Sequence, residues 1–251
     1  MKRTWRVLVP NDHKAPPPRT LIESAYARLR RDIMDCRYAP GGRLKVEHLK
    51  GTYAVSSGTL REALSLLVAD SLVVSEGHRG FRVAPMSLEE IEDITRTRVL
   101  IECEALRQSI AEGDDEWEAH LVTAFHRLTR AEERRESETS FDEWEERNRD
   151  FHRALVAGCP SPWIHRLRSI LYQQSERYRR LSAPFGSESS VKHASRHEVR
   201  RAAHDEHREI FEATMGRESE RAMLALATHI GLSVTRIRTF GLLVPSPKQA
   251  P

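Results

Sequence analysis

The sequence predicts a mainly α-helical protein, in which an N-terminal winged helix-turn-helix is followed by an all-helical bundle of six helices. Residues 20–86 hold three segments with apolar residues at helical spacing, then two short apolar runs around a glycine-bounded turn. Residues 87–244 show an apolar stripe with a period of about 3.6 residues in six successive segments. The 251 residues suffice for two domains with separate cores.

The N-terminal elements follow from apolar spacing and from breaks at glycine and proline. Residues 1–19 contain Pro10 and the run Pro16-Pro17-Pro18 without an apolar period, so we expect a flexible arm. The winged helix-turn-helix is then predicted as a helix at 21–34, a short helix at about 46–50, a helix at 57–70, and strands at 72–75 and 81–84.

A hinge at residues 84–87 separates the two predicted domains. Ser87 followed by Glu90 is typical of a capping box that opens a helix. Six helices are expected to form the bundle. They are predicted at 88–112, 115–137, 141–157, 162–181, 191–215 and 219–243, with a tail at 245–251.

Basic residues are concentrated at the front of the chain. Residues 1–84 contain 15 Lys and Arg against 8 Asp and Glu, a net charge of +7, whereas residues 85–251 contain 25 against 29, a net charge of −4. A basic front joined to a mildly acidic remainder is typical of a nucleic-acid reader fused to a second function.

The third predicted helix has the features of a recognition helix. Small hydroxylated residues at its start let the backbone approach DNA, and an arginine one turn in can bind guanine through two hydrogen bonds. The tip of the predicted wing is basic and can reach the minor groove or the backbone. The candidate DNA-binding residues are Ser56, Ser57, Thr59, Arg61, His78 and Arg79.

This N-terminal region resembles the GntR family of bacterial transcription regulators. The resemblance is carried by residues 39–44, 55–56, 60–64 and 80–85, and it covers roughly residues 20–86. It implies that Ser56, Thr59 and Arg61 touch DNA. Ser57 and Glu47 stand where arginine is common in the family, so we expect a different operator and weaker phosphate clamping.

Histidines mark a candidate site in the helical domain. Asn148 and His152 are four residues apart and share a helix face, while His207 and His229 lie on two other predicted helices. Histidines from separate helices can converge on a metal in a bundle core. Spacing alone leaves open whether they do, because the chain has 12 histidines.

The helical domain resembles the FCD effector-binding domain of the FadR-like GntR branch. The resemblance implies a divalent metal bound by an Asp-x-x-x-His pair and two later histidines, which map onto Asn148, His152, His207 and His229. Asn148 stands in place of the aspartate, so we expect a lower metal affinity or a changed metal preference. Zn, Ni and Mn all fit this ligand set. Arg98, with Glu102, matches an arginine-glutamate pair of such domains.

We therefore expect a homodimeric regulator, by default a repressor, that binds double-stranded operator DNA. Two-fold pairing is expected because one DNA-binding head contacts too few bases. A small carboxylate effector would bind the metal with Arg98 as counter-charge and alter operator affinity. The alternatives are a regulator that senses the metal itself, and a metalloenzyme. The metalloenzyme would need a general base beside the metal. Glu206 is the candidate, but on a helix it points roughly 100° away from His207.

We expect a cytoplasmic protein that is not an enzyme, because a metal-dependent hydrolase would leave residues 20–86 unexplained. Cys36, Cys103 and Cys159 are far apart, which favours reduced thiols over a disulfide framework. No apolar run approaches the roughly 20 residues of a membrane span.

Overall fold

The computed structural model describes residues 20–133, 141–182 and 193–239. These residues divide into two compact units. One unit contains residues 20–91 together with Gln173–Leu181, and the other contains Glu92–Tyr172 and the last two helices. The arm and tail predicted at 1–19 and 245–251 lie outside the described residues.

The N-terminal unit is a winged helix-turn-helix, as the sequence predicts. Its elements are α1 (Leu21–Met34), β1 (Arg43–Leu44), α2 (Val46–Tyr53), α3 (Ser57–Ala69), β2 (Val73–Ser75) and β3 (Phe81–Val83). Thr20 begins α1 with a capping box, since its side chain accepts from the Glu23 amide and Glu23 accepts from the Thr20 amide. Helix α1 packs on α3, with Leu29, Leu60 and Leu64 fully buried between the elements.

The wing has three strands rather than the two that were predicted. Strands β1, β3 and β2 lie side by side in that order and are antiparallel. Arg43 pairs with Arg82, and Val73 pairs with Val83. The additional strand β1 has only two residues, too few for an alternating pattern to stand out in the sequence.

The second unit is helical, which confirms the predicted fold class. Its helices are α4 (Leu88–Glu112), α5 (Asp115–Glu133), α6 (Phe141–Leu155), α7 (Pro162–Ser182), α8 (His193–Met215) and α9 (Ser219–Thr239). The first turn of α4 and the second half of α7 belong to the N-terminal unit. The core includes Leu106, Leu121, Phe151, Ile210 and Leu226, all at 0% exposure. The ends of the predicted helices at 134–137, 191–192 and 240–243 lie outside the described residues. Within the part of the chain that is described, no helix is long and apolar enough to cross a membrane.

The second half of α7 packs against the winged helix-turn-helix. The Gln174 amide donates to the carbonyl of Asp70 at 2.7 Å, and Arg177 donates to the carbonyl of Ala84 at 2.8 Å. Tyr178 hydrogen-bonds the carboxylate of Glu90. Apolar periodicity predicted this helix but gave no sign that its two halves pack in different units.

Candidate DNA-binding and metal sites

Helix α3 presents its first turn to solvent. Ser56 is the N-cap, and its hydroxyl accepts from the Thr59 amide at 3.1 Å. Ala54 adopts a left-handed conformation with φ of 54°, which turns the chain between α2 and α3. Arg61 is exposed, while Leu60 and Leu64 beside it are buried. The arginine therefore points away from the core, as reading a DNA groove requires.

The two residues that depart from the GntR pattern lie next to each other. The Ser57 hydroxyl donates to Glu47 at 3.5 Å, and Lys50 forms an ion pair with the same carboxylate at 3.3 Å. Glu47 thus places a negative charge beside the start of α3. Sequence separation of ten residues concealed this contact.

The wing tip is a short turn of 3-10 helix at Gly77–Arg79. Gly77 and Gly80 have φ of 59° and 90°, values that glycine adopts without the steric cost a Cβ brings. Arg79 is exposed at this tip, and His78 lies in the same turn. Exposed Arg43 on β1 is a further cation on the wing sheet that sequence reasoning missed, because β1 was not predicted.

Three of the four predicted metal ligands converge in the helical unit. One ring nitrogen from each of His152, His207 and His229 lies within 4.8 Å of the others. The ring centroids are 4.6 to 5.5 Å apart. His152 comes from α6, His207 from α8 and His229 from α9; the first two are buried and His229 is partly buried.

Two carboxylates orient two of the histidine rings through hydrogen bonds. Glu132 accepts a hydrogen bond from Nδ1 of His207 at 2.8 Å, and Glu206 accepts from Nδ1 of His229 at 2.8 Å. Each bond turns the opposite nitrogen, Nε2, toward the cluster, which is the usual outer support of a metal-bound histidine. Sequence reasoning missed Glu132 and considered Glu206 only as a base beside His207.

His152 and His229 are held neutral at neutral pH. Burial lowers the pKa of His152 well below its ordinary value, and the nearby His229 and His207 lower it further. Burial also lowers the pKa of His229 to about 4, although the hydrogen bond to Glu206 opposes the shift. Neutral imidazole is the form that binds a metal.

Two buried nitrogens of the cluster show how well these residues fit a metal ion. Nδ1 of His152 and Nε2 of His207 are buried, and neither has a hydrogen-bond partner among the described residues. A buried polar nitrogen without a partner is costly, and a metal ion would satisfy it. The donor set of three imidazoles therefore fits a divalent transition metal.

Asn148, the fourth predicted ligand, lies one turn before His152 on α6 and is 4% exposed. Its amide nitrogen donates to the hydroxyl of Tyr172 at 3.0 Å. The amide oxygen is then the atom with which Asn148 would ligate a metal, without the charge of an aspartate.

A buried cationic group lies beside the histidines. Arg98 and Arg168 both donate to the carboxylate of Glu102, at 2.7 Å and 3.3 Å. Both guanidinium groups also lie over the ring of Tyr172, at 5.1 and 5.4 Å. Their positive charges help to lower the pKa of His152, which places them electrostatically close to the cluster. The Tyr172 hydroxyl also donates to the buried carboxylate of Glu145 at 3.5 Å, so two carboxylates lie close to the two arginines.

Comparison with known proteins decides the family. Residues 21–83 match the model of bacterial regulatory proteins of the gntR family, and residues 93–232 match the FCD domain. The chain belongs to the GntR family. The FCD domain places it in the FadR-like branch, so it is a DNA-binding transcription regulator with an effector domain, and the resemblance drawn from the sequence is confirmed.

Relatives of this GntR regulator are themselves regulators. It is 47% identical to the HTH-type transcriptional regulator BphR of Paraburkholderia xenovorans strain LB400, over 90% of this chain and 88% of BphR. It is 36% identical to the transcriptional repressor GlaR of Escherichia coli K12, over 82% of this chain and 90% of GlaR. These relatives confirm that the chain is not an enzyme and exclude the metalloenzyme alternative.

Solved structures support the fold. A GntR regulator from Rhodococcus sp. RHA1 superposes with a TM-score of 0.66 at 22% identity, covering 87% of this chain and 97% of that one. The Escherichia coli protein McbR/YncC gives a TM-score of 0.67 at 17% identity, covering 88% and 99%.

Proposed function

We propose that this GntR regulator is a cytoplasmic, homodimeric repressor whose affinity for operator DNA is set by a small carboxylate bound beside a divalent metal. Helix α3 and the wing bind the operator through Ser56, Ser57, Thr59, Arg61, His78 and Arg79. The role of repressor is supported by GlaR and by RspR of Escherichia coli K12, which is 28% identical.

The observation that carries the proposal is the buried cluster of His152, His207 and His229, with ring nitrogens within 4.8 Å of one another. These residues, with the oxygen of Asn148, would hold Zn, Ni or Mn. When bound, the metal supplies open coordination positions for carboxylate oxygens.

The arginine beside the cluster supports an acidic effector. Arg98 offers a positive charge within the protein interior, where an ion pair is stronger than in water. One partner of its guanidinium is Glu102, at 2.7 Å. A carboxylate effector would share or replace this partner, which provides a route from binding to a change in packing.

Isothermal titration calorimetry tests the metal site. The metal-free wild type is titrated with Zn, Ni and Mn, and the same titrations are made on His207→Ala and on His120→Ala as a matched control, since His120 is an exposed histidine of α5. We expect one site per chain, lost in His207→Ala and kept in His120→Ala. Equal binding by all three proteins would refute the site.

Operator titrations of metal-loaded protein test the effector. We expect di- and hydroxycarboxylates to change operator affinity in wild type and not in Arg98→Gln. If chelation alone changes operator affinity and no acid has any effect, the protein is a metal-sensing regulator and the carboxylate proposal is wrong.

A further inference from the structure

A carboxylate lies beside the start of the predicted recognition helix. The Glu47 side chain, in the first turn of α2, is 76% exposed. One of its oxygens lies 3.5 Å from the hydroxyl of Ser57, the first residue of α3. In a helix-turn-helix the first turn of the recognition helix meets the edges of the bases. Glu47 therefore lies next to the residues that would face those bases.

Glu47 and Ser57, together called the Glu47–Ser57 pair, present hydrogen-bond acceptors to the operator. An ionised carboxylate accepts hydrogen bonds and donates none. Phosphate oxygens are acceptors as well, so Glu47 cannot bind the DNA backbone directly. The Ser57 hydroxyl donates its proton to Glu47, and its oxygen lone pairs then face outward as further acceptors. A partner of this pair on DNA must be a donor.

The major groove of DNA offers two donors, which are the amino groups of cytosine and adenine. In an A·T pair the amino group lies between two acceptors, the adenine N7 and the thymine O4, and both repel a carboxylate. In a G·C pair the cytosine amino group has an acceptor on one side only. Cytosine is therefore the base that matches the Glu47–Ser57 pair best.

Lys50 limits the repulsion between Glu47 and the phosphates. Its ammonium group lies 3.3 Å from the Glu47 carboxylate, one helical turn further along α2. An exposed ion pair of this kind contributes little in water, so it does not withdraw the carboxylate from another partner. Because a carboxylate can accept several hydrogen bonds, Glu47 can keep its contact with Lys50 and still accept from a base.

We propose that Glu47, supported by Ser57, recognises a cytosine in the operator by accepting a hydrogen bond from its amino group. The inference rests on the proposed DNA-binding surface of α3 and the wing, and it adds a second base to the guanine assigned to Arg61. Glu47 is then a determinant of sequence specificity, and its negative charge does more than weaken binding to phosphates.

Selection of operators from a randomised DNA pool tests the assignment with the full-length protein. Wild type should enrich cytosine at one position beside the guanine that Arg61 reads, and Glu47→Ala should lose this enrichment. Glu89→Ala is the matched control, because it removes the same charge from an exposed glutamate of α4. It should keep the cytosine. If Glu47→Ala binds all sequences more tightly by one factor and keeps the cytosine preference, the carboxylate only repels DNA and the proposal is wrong.

A cytosine analogue tests the hydrogen bond itself. Pyrimidinone lacks the amino group of cytosine, and it replaces the enriched cytosine in a synthetic operator. Fluorescence anisotropy should show that the replacement weakens wild type about tenfold more than it weakens Glu47→Ala. Comparing the two proteins on the same two duplexes cancels any effect of the analogue on the DNA alone. An equal loss in both proteins would overturn the contact.

Arg61→Ala separates this inference from the DNA-binding surface on which it rests. If Arg61→Ala loses a base preference while Glu47→Ala keeps every preference of the wild type, α3 reads the operator and the role of Glu47 is wrong. If neither variant changes any preference, α3 does not read the bases and the proposed DNA-binding surface fails as well. Loss of two different base preferences in the two variants is the expected result.

Discussion

The DNA-reading surface and the histidine cluster satisfy their polar groups in opposite ways. Arg61 and Arg79 are exposed to water, which solvates them until a phosphate or base replaces it. His152 and His207 are 2% and 0% exposed, and each keeps a buried nitrogen without a hydrogen-bond partner among the described residues. Substitutions on the first surface should therefore change binding alone. Changes at the cluster should affect stability as well, since buried groups depend on their surroundings.

Acidification of the metal-free protein should show the largest effect. Because the pKa of His229 falls from 6.5 to about 4 in the folded state, the unfolded chain binds more protons between these values. The contribution of His229 to the free energy of unfolding is therefore fully present above pH 6.5. It is lost as the pH falls toward 4, and it amounts to roughly 3 kcal/mol. Urea unfolding from pH 7 to pH 4 measures it. His229→Gln should flatten this dependence, and an unchanged slope would contradict the contrast between the two sites.

Arg61→Ala should have the next largest effect, on DNA binding and not on stability. Loss of a two-bond contact to guanine is expected to cost about 1–3 kcal/mol and to relax the base preference at one operator position. Fluorescence anisotropy with the operator and with point variants of it measures the effect. Arg127→Ala, at an exposed arginine of α5, serves as the control. Equal discrimination by Arg61→Ala and wild type would refute its role.

Glu132→Gln should weaken the metal site while leaving the ligands in place. Glu132 holds Nδ1 of His207 at 2.8 Å, and loss of such an outer partner typically costs 10–100-fold in metal affinity. Calorimetry compares it with Glu133→Gln, an exposed neighbour at the end of α5. Operator binding without effector should be the same in both. An unchanged metal affinity in Glu132→Gln would show that the hydrogen bond does not orient a ligand.

Arg79→Ala should have the smallest effect. A phosphate contact from the wing tip lowers affinity for all sequences alike, and its loss should reduce the salt slope by about 1. Anisotropy at several salt concentrations gives this slope. If Arg79→Ala changed the base preference instead, Arg79 would contact a base and not the phosphate backbone.

The helices themselves, and the relative positions of residues on one helix, were predictable from the sequence. The spacing from Ser56 to Arg61 placed the candidate contacts at the start of α3, because one helix fixes their relative positions. Asn148 and His152 were placed on one face of α6 for the same reason.

Contacts between distant elements were not predictable in this way. Glu132 lies 75 residues before His207, and no local pattern links them. Ser57 and Glu47 were each noticed as departures, but their contact depends on how α2 and α3 pack. The resemblance to the FCD domain carried the histidine assignment across helices where periodicity could not.

The central claim is that His152, His207 and His229 together hold one metal ion. X-ray absorption at the metal edge of protein loaded with one equivalent of Zn or Ni tests it most directly. Three imidazole nitrogens in the first shell of the wild type, and two in His229→Gln, are the expected result. A shell of oxygens only, identical in the variant, would contradict the account.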